Sequence, residues 1–192
     1  MLYRLAMSAP RADGLEIGFA TGSTAAYLLA GLGTGNLTSI DYDQDAYDRE
    51  GVKLIAAMGL TARHTLIESD SIVALPRLYA GGSRYGVVFI DGWKTFDHLW
   101  VDTFYCARML ECGGCLMFDD AAMPAVRKCA SLLSRYYAFD QVDTYPLVGG
   151  WRQRTWHLLT THSFRPPYLA LRKSVEIDKT EAGRTFDYWR RF

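Results

Sequence analysis

The sequence carries no excess charge of either sign: 21 Lys and Arg balance 21 Asp and Glu over 192 residues. The basic surplus that accompanies tight binding to a phosphate backbone is missing, so nucleic acid is not the expected partner. Long apolar runs are missing as well. Nothing approaches the roughly 18 consecutive residues needed to span a bilayer, and the opening MLYRLAMSAPRADG is too short and too interrupted for a secretory signal. The expectation is a cytoplasmic protein with no membrane partner. Cysteine is scarce: four in a chain of this length do not make a disulfide scaffold. Cys112 and Cys115 have C-x-x-C spacing, but redox pairs of that type follow a strand at a helix N-terminus, and these two follow a predicted helix. No internal repeat or low-complexity segment interrupts the chain.

What is present is enough apolar matter for a full core, 49% hydrophobic against 22% charged residues, in a length that fits one domain. From residue 15 onward, short β-rich runs alternate with segments of helical period. Strands are predicted at 15–18, 37–41, 64–68, 85–91, 115–118, 136–143 and 154–160, with helices at 23–32, 44–58, 71–79, 95–110 and 123–133. Gly113-Gly114 is read as the stop of the helix at 95–110. This alternation predicts an α/β fold, a Rossmann-like, doubly wound, mostly parallel seven-stranded sheet with helices on both faces. Beyond 161 the texture changes to scattered Arg, Lys, Tyr, Trp and Phe. The expected division is a core at 1–161 and a C-terminal arm or lid at 162–192.

The first strand runs into Glu16-Ile17-Gly18-Phe19-Ala20-Thr21-Gly22, and a helix begins at once with Ser23. Small residues at 18, 20 and 22 let the backbone approach a ligand, and free N–H groups at the helix start favour polar or anionic groups. Such a turn also occurs without a ligand. The second strand adds weight, because it ends at Asp41, 19 residues after Gly22, where a ribose-binding carboxylate is expected in nucleotide folds. An acid in a solvated turn is the competing reading of Asp41 alone.

The glycine spacing differs from the dinucleotide pattern G-x-G-x-x-G. An acid followed by G-x-G-x-G, matched by Glu16, Gly18, Ala20 and Gly22, instead resembles the first motif of the class I S-adenosylmethionine-dependent methyltransferases. That resemblance implies that the loop, with Thr21 and Ser23, wraps the methionine part of S-adenosylmethionine. It also implies that Asp41, with Tyr42 beside it, binds the ribose, and that Glu68, Ser69 and Asp70 flank the adenine.

Three more carboxylates fall where the fourth and fifth predicted strands end: Asp91 in FIDGWK and Asp119-Asp120 in LMFDDA. Neighbouring strands lie about 4.8 Å apart, so adjacent strands would bring the three together. Clustered carboxylates repel unless a shared proton or a cation neutralises them, and all-oxygen donors suit Mg²⁺. Aspartates just before a helix also serve as N-caps, and Asp91 before Gly92 also fits a turn. Lys94 lies three residues after Asp91 among Trp93 and Phe96, a setting that suits a general base or a lysine at a helix start. His98, one turn beyond Lys94, reads as a helix-surface residue, with facing the substrate as the alternative. D-x-W-K followed by a strand ending in D-D resembles the catechol O-methyltransferase-like branch. The resemblance implies Mg²⁺ held by Asp91, Asp119 and Asp120, with Lys94 taking the proton of the acceptor hydroxyl. Two departures stand out. The branch has Asn where this chain has Asp120, and a related group reading D-G-x-H-x-F matches Gly92 and Phe96 but has His in place of Lys94.

The function expected on these grounds is methyl transfer to a small hydroxylated molecule. The alternatives are a metal-independent methyltransferase on a sugar, a nitrogen acceptor or RNA, and a catalytically silent nucleotide-binding partner subunit. Relatives in this branch carry helices before the first motif that close over the site. About 14 residues precede it here, so the aromatic tail with Tyr168, Phe186, Tyr188 and Trp189, or a second copy in a homodimer, is the expected cover.

Overall fold

The computed structural model describes residues 1–143 and 168–177. Among them seven strands make one sheet: β1 (Gly14–Ile17), β2 (Leu37–Asp41), β3 (His64–Glu68), β4 (Tyr85–Ile90), β5 (Leu110–Phe118), β6 (Phe139–Val142) and β7 (Leu169–Lys173). Their order is β3-β2-β1-β4-β5-β7-β6. The first five strands run parallel, and β7 is antiparallel to both of its neighbours. The helices are α1 (Leu2–Met7), α2 (Ser23–Gly31), α3 (Glu50–Ala57), α4 (Ser71–Ala80), α5 (Phe96–Met109) and α6 (Pro124–Tyr136).

Strand alternation divides the core in two. Leu15, Ile17, Val88 and Ile90 point to one face, where they meet Leu75 of α4, Leu99 of α5 and Val126 of α6. Val87, Phe89 and Met117 point to the other, under Leu5 of α1, Leu28 of α2 and Ile55 of α3. Burial on both faces explains why β4 is apolar throughout. The strand order reverses between β1 and β4, and in open α/β sheets the ligand crevice lies above the C-terminal ends of strands at such a point. α1 packs against the far end of α2: a side chain at Gly31 would meet the Tyr3 carbonyl at 2.5 Å. It therefore lies at the end of α2 away from Gly22.

Three expectations are corrected. The helix predicted at 44–58 is a 3-10 turn at Asp45–Tyr47 followed by α3. Asp43 Oδ1 accepts the N–H groups of Asp45 and Ala46, and Asp48 and Arg49 adopt left-handed φ of 48° and 54°. Local aspartate bonding of this kind competes with a continuous helix. The Gly113-Gly114 pair does not stop α5, which ends at Met109 with β5 starting at Leu110. Gly113 has φ +81°, and the pairing register with β4 shifts between Tyr85 and Val87, so the pair bends a strand.

The third correction concerns the C-terminal region. The strand predicted at 154–160 lies outside the described residues. Residues 169–173, expected in an arm, form β7 between β5 and β6. Arg172 and Lys173 disguised this strand as a charged tail. In the fold both cations meet carbonyls of β5: Arg172 donates to Gly113 O at 2.7 Å, and the fully buried Lys173 donates to Leu110 O at 2.5 Å and to Glu176 at 2.9 Å.

Lys173→Met keeps most of the apolar stem but leaves the Leu110 carbonyl without its charged donor. Stability should fall by about 1–3 kcal/mol, read as a lower urea midpoint at unchanged slope. An unchanged midpoint would show that this bond does not hold β7 in place.

Candidate functional site

Above the ends of β1, β2 and β4 lies a cleft of about 660 Å³. Its floor is built by a close approach. Gly18 has φ +90°, and a Cβ there would lie 2.4 Å from the Asp91 carbonyl oxygen, so the chain leaving β1 touches the chain leaving β4. Ala20, in the middle position of the motif, holds a left-handed φ of 44°, a conformation that favours glycine. The loop is fixed by Asp41, whose Oδ2 accepts the N–H groups of Phe19 at 2.8 Å and Ala20 at 2.7 Å. Its Oδ1 accepts Asp43 N at 3.1 Å.

Not every residue singled out in the sequence reaches the cleft. Gly18, Ala20, Asp41, Tyr42, Ser69 and Asp91 line it. Thr21 and Ser23 are exposed and outside it, and Gly22 packs against Gly51 of α3, where a side chain would meet the Gly51 Cα at 2.9 Å. Gly51 is a partner that sequence reading missed: a side chain on it would lie 2.6 Å from the Phe19 ring and 2.7 Å from the Ala20 carbonyl. Glu16 is completely buried below the loop, and burial pushes its carboxyl up to about 8, with Asp91 and Asp41 adding to the effect against the Ser39 hydrogen bond. Glu68 does not line the cleft either. Both its oxygens bind the Arg49 guanidinium, at 3.0 and 2.8 Å, which ties the start of α3 to the end of β3. In its place Asp70 and Ser71 join Ser69 in the wall, with Asp70 Oδ1 capping α4 through Ile72 N. His98, expected on the helix surface, lines the cleft beside Trp93, the ring centroids 6.5 Å apart.

The carboxylates of β4 and β5 converge as adjacent strands require. Asp91, Asp119 and Asp120 each offer an oxygen within 4.8 Å of the others. Lys94 reaches into this group, with Nζ 2.7 Å from Asp91 Oδ1 and 3.8 Å from Asp120 Oδ2. Burial, reinforced by Asp91 and Asp120, raises the Asp119 carboxyl above its ordinary range. The N-cap alternative is settled: α6 starts from Met123 with no side-chain cap, so neither aspartate caps it. Asp120 instead sits at φ +52°. The pairing of Phe118 with Leu169 places Tyr168 beside Asp119, and its phenol is raised first by burial and then by all three aspartates. One flank of the acidic group thus comes from Tyr168, just before β7.

One further carboxylate stands behind the wall. Asp102 of α5 is buried, and a Cβ at Gly92 would come within 3.6 Å of its Oδ2 and 2.9 Å of Ile17 Cγ2. Neither Asp102 oxygen meets hydrogen-bond geometry with a described residue. Burial pushes the carboxyl up to about 6, against a smaller effect from the Ser71 side chain.

A family model described as a methyltransferase domain matches residues 15–121, more than half of the chain. The chain belongs to this methyltransferase family. Solved structures share its architecture. The O-methyltransferase TomG from Streptomyces achromogenes, in complex with S-adenosylmethionine, is 15% identical, with 91% of this chain and 78% of that one covered at a TM-score of 0.69. An O-methyltransferase from Bacillus cereus, in complex with S-adenosylhomocysteine, is 13% identical, covering 90% and 79% at 0.69. A putative rRNA methylase from Clostridium thermocellum is 13% identical, covering 90% and 93% at 0.64. No curated protein sequence matches the chain. The methyltransferase therefore has the class I fold that the loop at 16–22 suggested, with the Rossmann-like sheet and an antiparallel β7. No helix among its described residues is long and apolar enough to cross a membrane.

The raised Asp102 carboxyl carries a sign. A folded-state value above the unfolded one contributes stability below about 3.8 that is lost as pH rises through about 6. Asp102→Asn in this methyltransferase should therefore raise Tm relative to the parent protein at pH 8 more than at pH 4. A difference independent of pH would mean that Asp102 does not titrate this way.

Proposed function

We propose that the chain is an S-adenosylmethionine-dependent O-methyltransferase that acts on a small hydroxylated molecule. The observation that carries the reading is the Asp91–Lys94 pair, which stands at the end of β4 directly against the loop that Asp41 fixes. Cofactor and acceptor chemistry then share one edge of the sheet. Gly18, Ala20 and Asp41 form the methionine and ribose side, Ser69 and Asp70 the adenine side. Tyr42 and Trp93, which line the cleft with 78% and 68% exposure, offer flat apolar faces to a purine or a planar acceptor. Within the pair the Asp91 carboxylate takes the proton of the acceptor hydroxyl, and the Lys94 ammonium offsets the charge that develops on its oxygen. The oxygen attacks the sulfonium methyl in line, the carbon–sulfur bond breaks, and S-adenosylhomocysteine leaves.

The donor set of Asp91, Asp119 and Asp120 fits a hard divalent ion, because three carboxylate oxygens lie within reach of one centre. Mg²⁺ held there would supply Lewis acidity toward the acceptor hydroxyl. One observation favours a metal-free variant of the same reaction. Lys94 already places an ammonium among these acids, so part of the neutralisation is built into the chain.

Calorimetry with S-adenosylhomocysteine should show one site, weakened at least tenfold by Asp41→Ala. Absence of heat would overturn the cofactor reading. Against a panel of small phenols and other hydroxylated acceptors, Lys94→Met should lower turnover by about 10²–10⁴-fold while S-adenosylhomocysteine binds as before. Loss of turnover in EDTA with recovery on Mg²⁺ supports the metal-assisted form, and full activity in EDTA removes it.

A further inference from the structure

Glu16, Ser39 and His64 stand on three adjacent strands, β1, β2 and β3, and their side chains form one hydrogen-bonded chain. Ser39 Oγ lies 2.6 Å from Glu16 Oε2 and 2.9 Å from His64 Nε2. Leu15 and Ile17 point to the face covered by α4 and α5, so Glu16 between them points to the face under α2 and α3. Ser39 and Glu16 are completely buried.

The far end of this chain carries a load. The His64 ring stacks on Phe19, with centroids 4.8 Å apart and planes at 27°. Phe19 belongs to the loop between β1 and α2, and its N–H is one of the two that Asp41 Oδ2 accepts. The same ring is pressed on by Gly51, where a side chain would approach it to 2.6 Å. Phe19 is thus wedged between His64 and α3, and its backbone is the loop's first tie to Asp41.

The chain is also electrically quiet. Burial pushes Glu16 up to about 8 and His64 down to about 4, so both are uncharged near neutrality. Charges that act on Glu16 come from Asp41 at the end of β2 and Asp91 at the end of β4. α2 has no charged residue, and Glu50 and Lys53 of α3 are exposed. Burial alone accounts for the shift of His64. A neutral chain can be buried at modest cost provided its hydrogen bonds are made, whereas breaking one leaves a buried polar group unsatisfied.

We propose that Ser39 and His64 are positioning residues for the cofactor loop: the Glu16–Ser39–His64 chain fixes the His64 ring, and the ring holds Phe19 and so the loop against Asp41. This rests on the cofactor reading given above. Ser39 touches neither cleft nor cofactor, and its effect reaches them through His64 and Phe19. The two ties on Phe19 act on different atoms, Asp41 on the main chain and His64 on the ring. Loss of the second leaves the first intact but lets the ring, and with it φ and ψ of the loop, move.

The test compares S-adenosylhomocysteine affinity at pH 7 in the full chain with Ser39→Ala, Ser39→Thr and, as a control for stability, Leu37→Val. Leu37 lies on the same strand and face, is equally buried, and makes no bond in the chain. Ser39→Ala is expected to weaken binding about tenfold, Ser39→Thr to restore it to within about threefold of the parent, and Leu37→Val to lower Tm without a comparable loss of affinity. Parent-like binding by Ser39→Ala overturns the proposal, as does an equal loss in Leu37→Val at matched Tm, which would make the effect one of stability alone. No binding by the parent protein would instead defeat the cofactor reading and would be seen before any variant is compared.

Discussion

Two N–H groups held by one carboxylate oxygen organise the site. The chain leaving β1 must turn sharply at Gly18, touch the end of β4, and then enter α2, and in doing so it exposes main-chain donors that a buried loop cannot leave unpaired. Asp41 Oδ2 takes those of Phe19 and Ala20. The acid comes from the neighbouring parallel strand, whose register pairs Ile17 with Ile40, so its side chain arrives where the loop begins. A charged acceptor makes such bonds stronger than neutral ones. The left-handed turn at Ala20, the packing of Gly22 on Gly51, and the stack of Phe19 on His64 all depend on the loop being held in this shape.

Electrostatics then divides the acids by environment. Asp91, Asp119 and Asp120 stand together at the ends of β4 and β5 with Lys94 among them, and of these four Asp91 alone lines the cleft. Glu16 and Asp102 are sealed in the two cores on either side of the sheet, and burial moves both toward the neutral form. Five carboxylates thus fall into three settings: a cluster of three whose oxygens lie within 4.8 Å of one another, Glu16 bonded to Ser39 beneath the loop, and Asp102 behind the Gly92 wall. The balanced composition conceals this local concentration of negative charge.

The sheet was legible because its signals are local. The run GVVFI, the acids that end β2 and β5, and the glycines at 18 and 22 each report a constraint that acts within a few residues. The convergence of Asp91 with Asp119 and Asp120 was legible for the same reason, since strand ends and strand spacing suffice to place them. What escaped were contacts set by distant chain segments. Gly51 looks like any residue near a helix start until Phe19 is packed on it. Glu68 has the position of a ligand-binding acid, yet an arginine 19 residues earlier in the chain takes both its oxygens. His98, one turn beyond Lys94, fitted a helix surface better than the substrate side, and it is the approach of Trp93 and the β4 end that turns the start of α5 to the cleft. β7 was missed because Arg172 and Lys173 read as solvent-facing charges, and only the carbonyls of the β5 bend give them partners.

The position of bound S-adenosylhomocysteine decides whether loop, cleft and acidic group form one site. A crystal structure of the protein soaked with S-adenosylhomocysteine measures this directly. It is predicted to show the ribose at Asp41, the adenine between Tyr42 and Trp93 beside Ser69, and the sulfur directed at the Asp91–Lys94 pair. Density for the ligand elsewhere on the chain, or a sulfur turned away from Lys94, would contradict it.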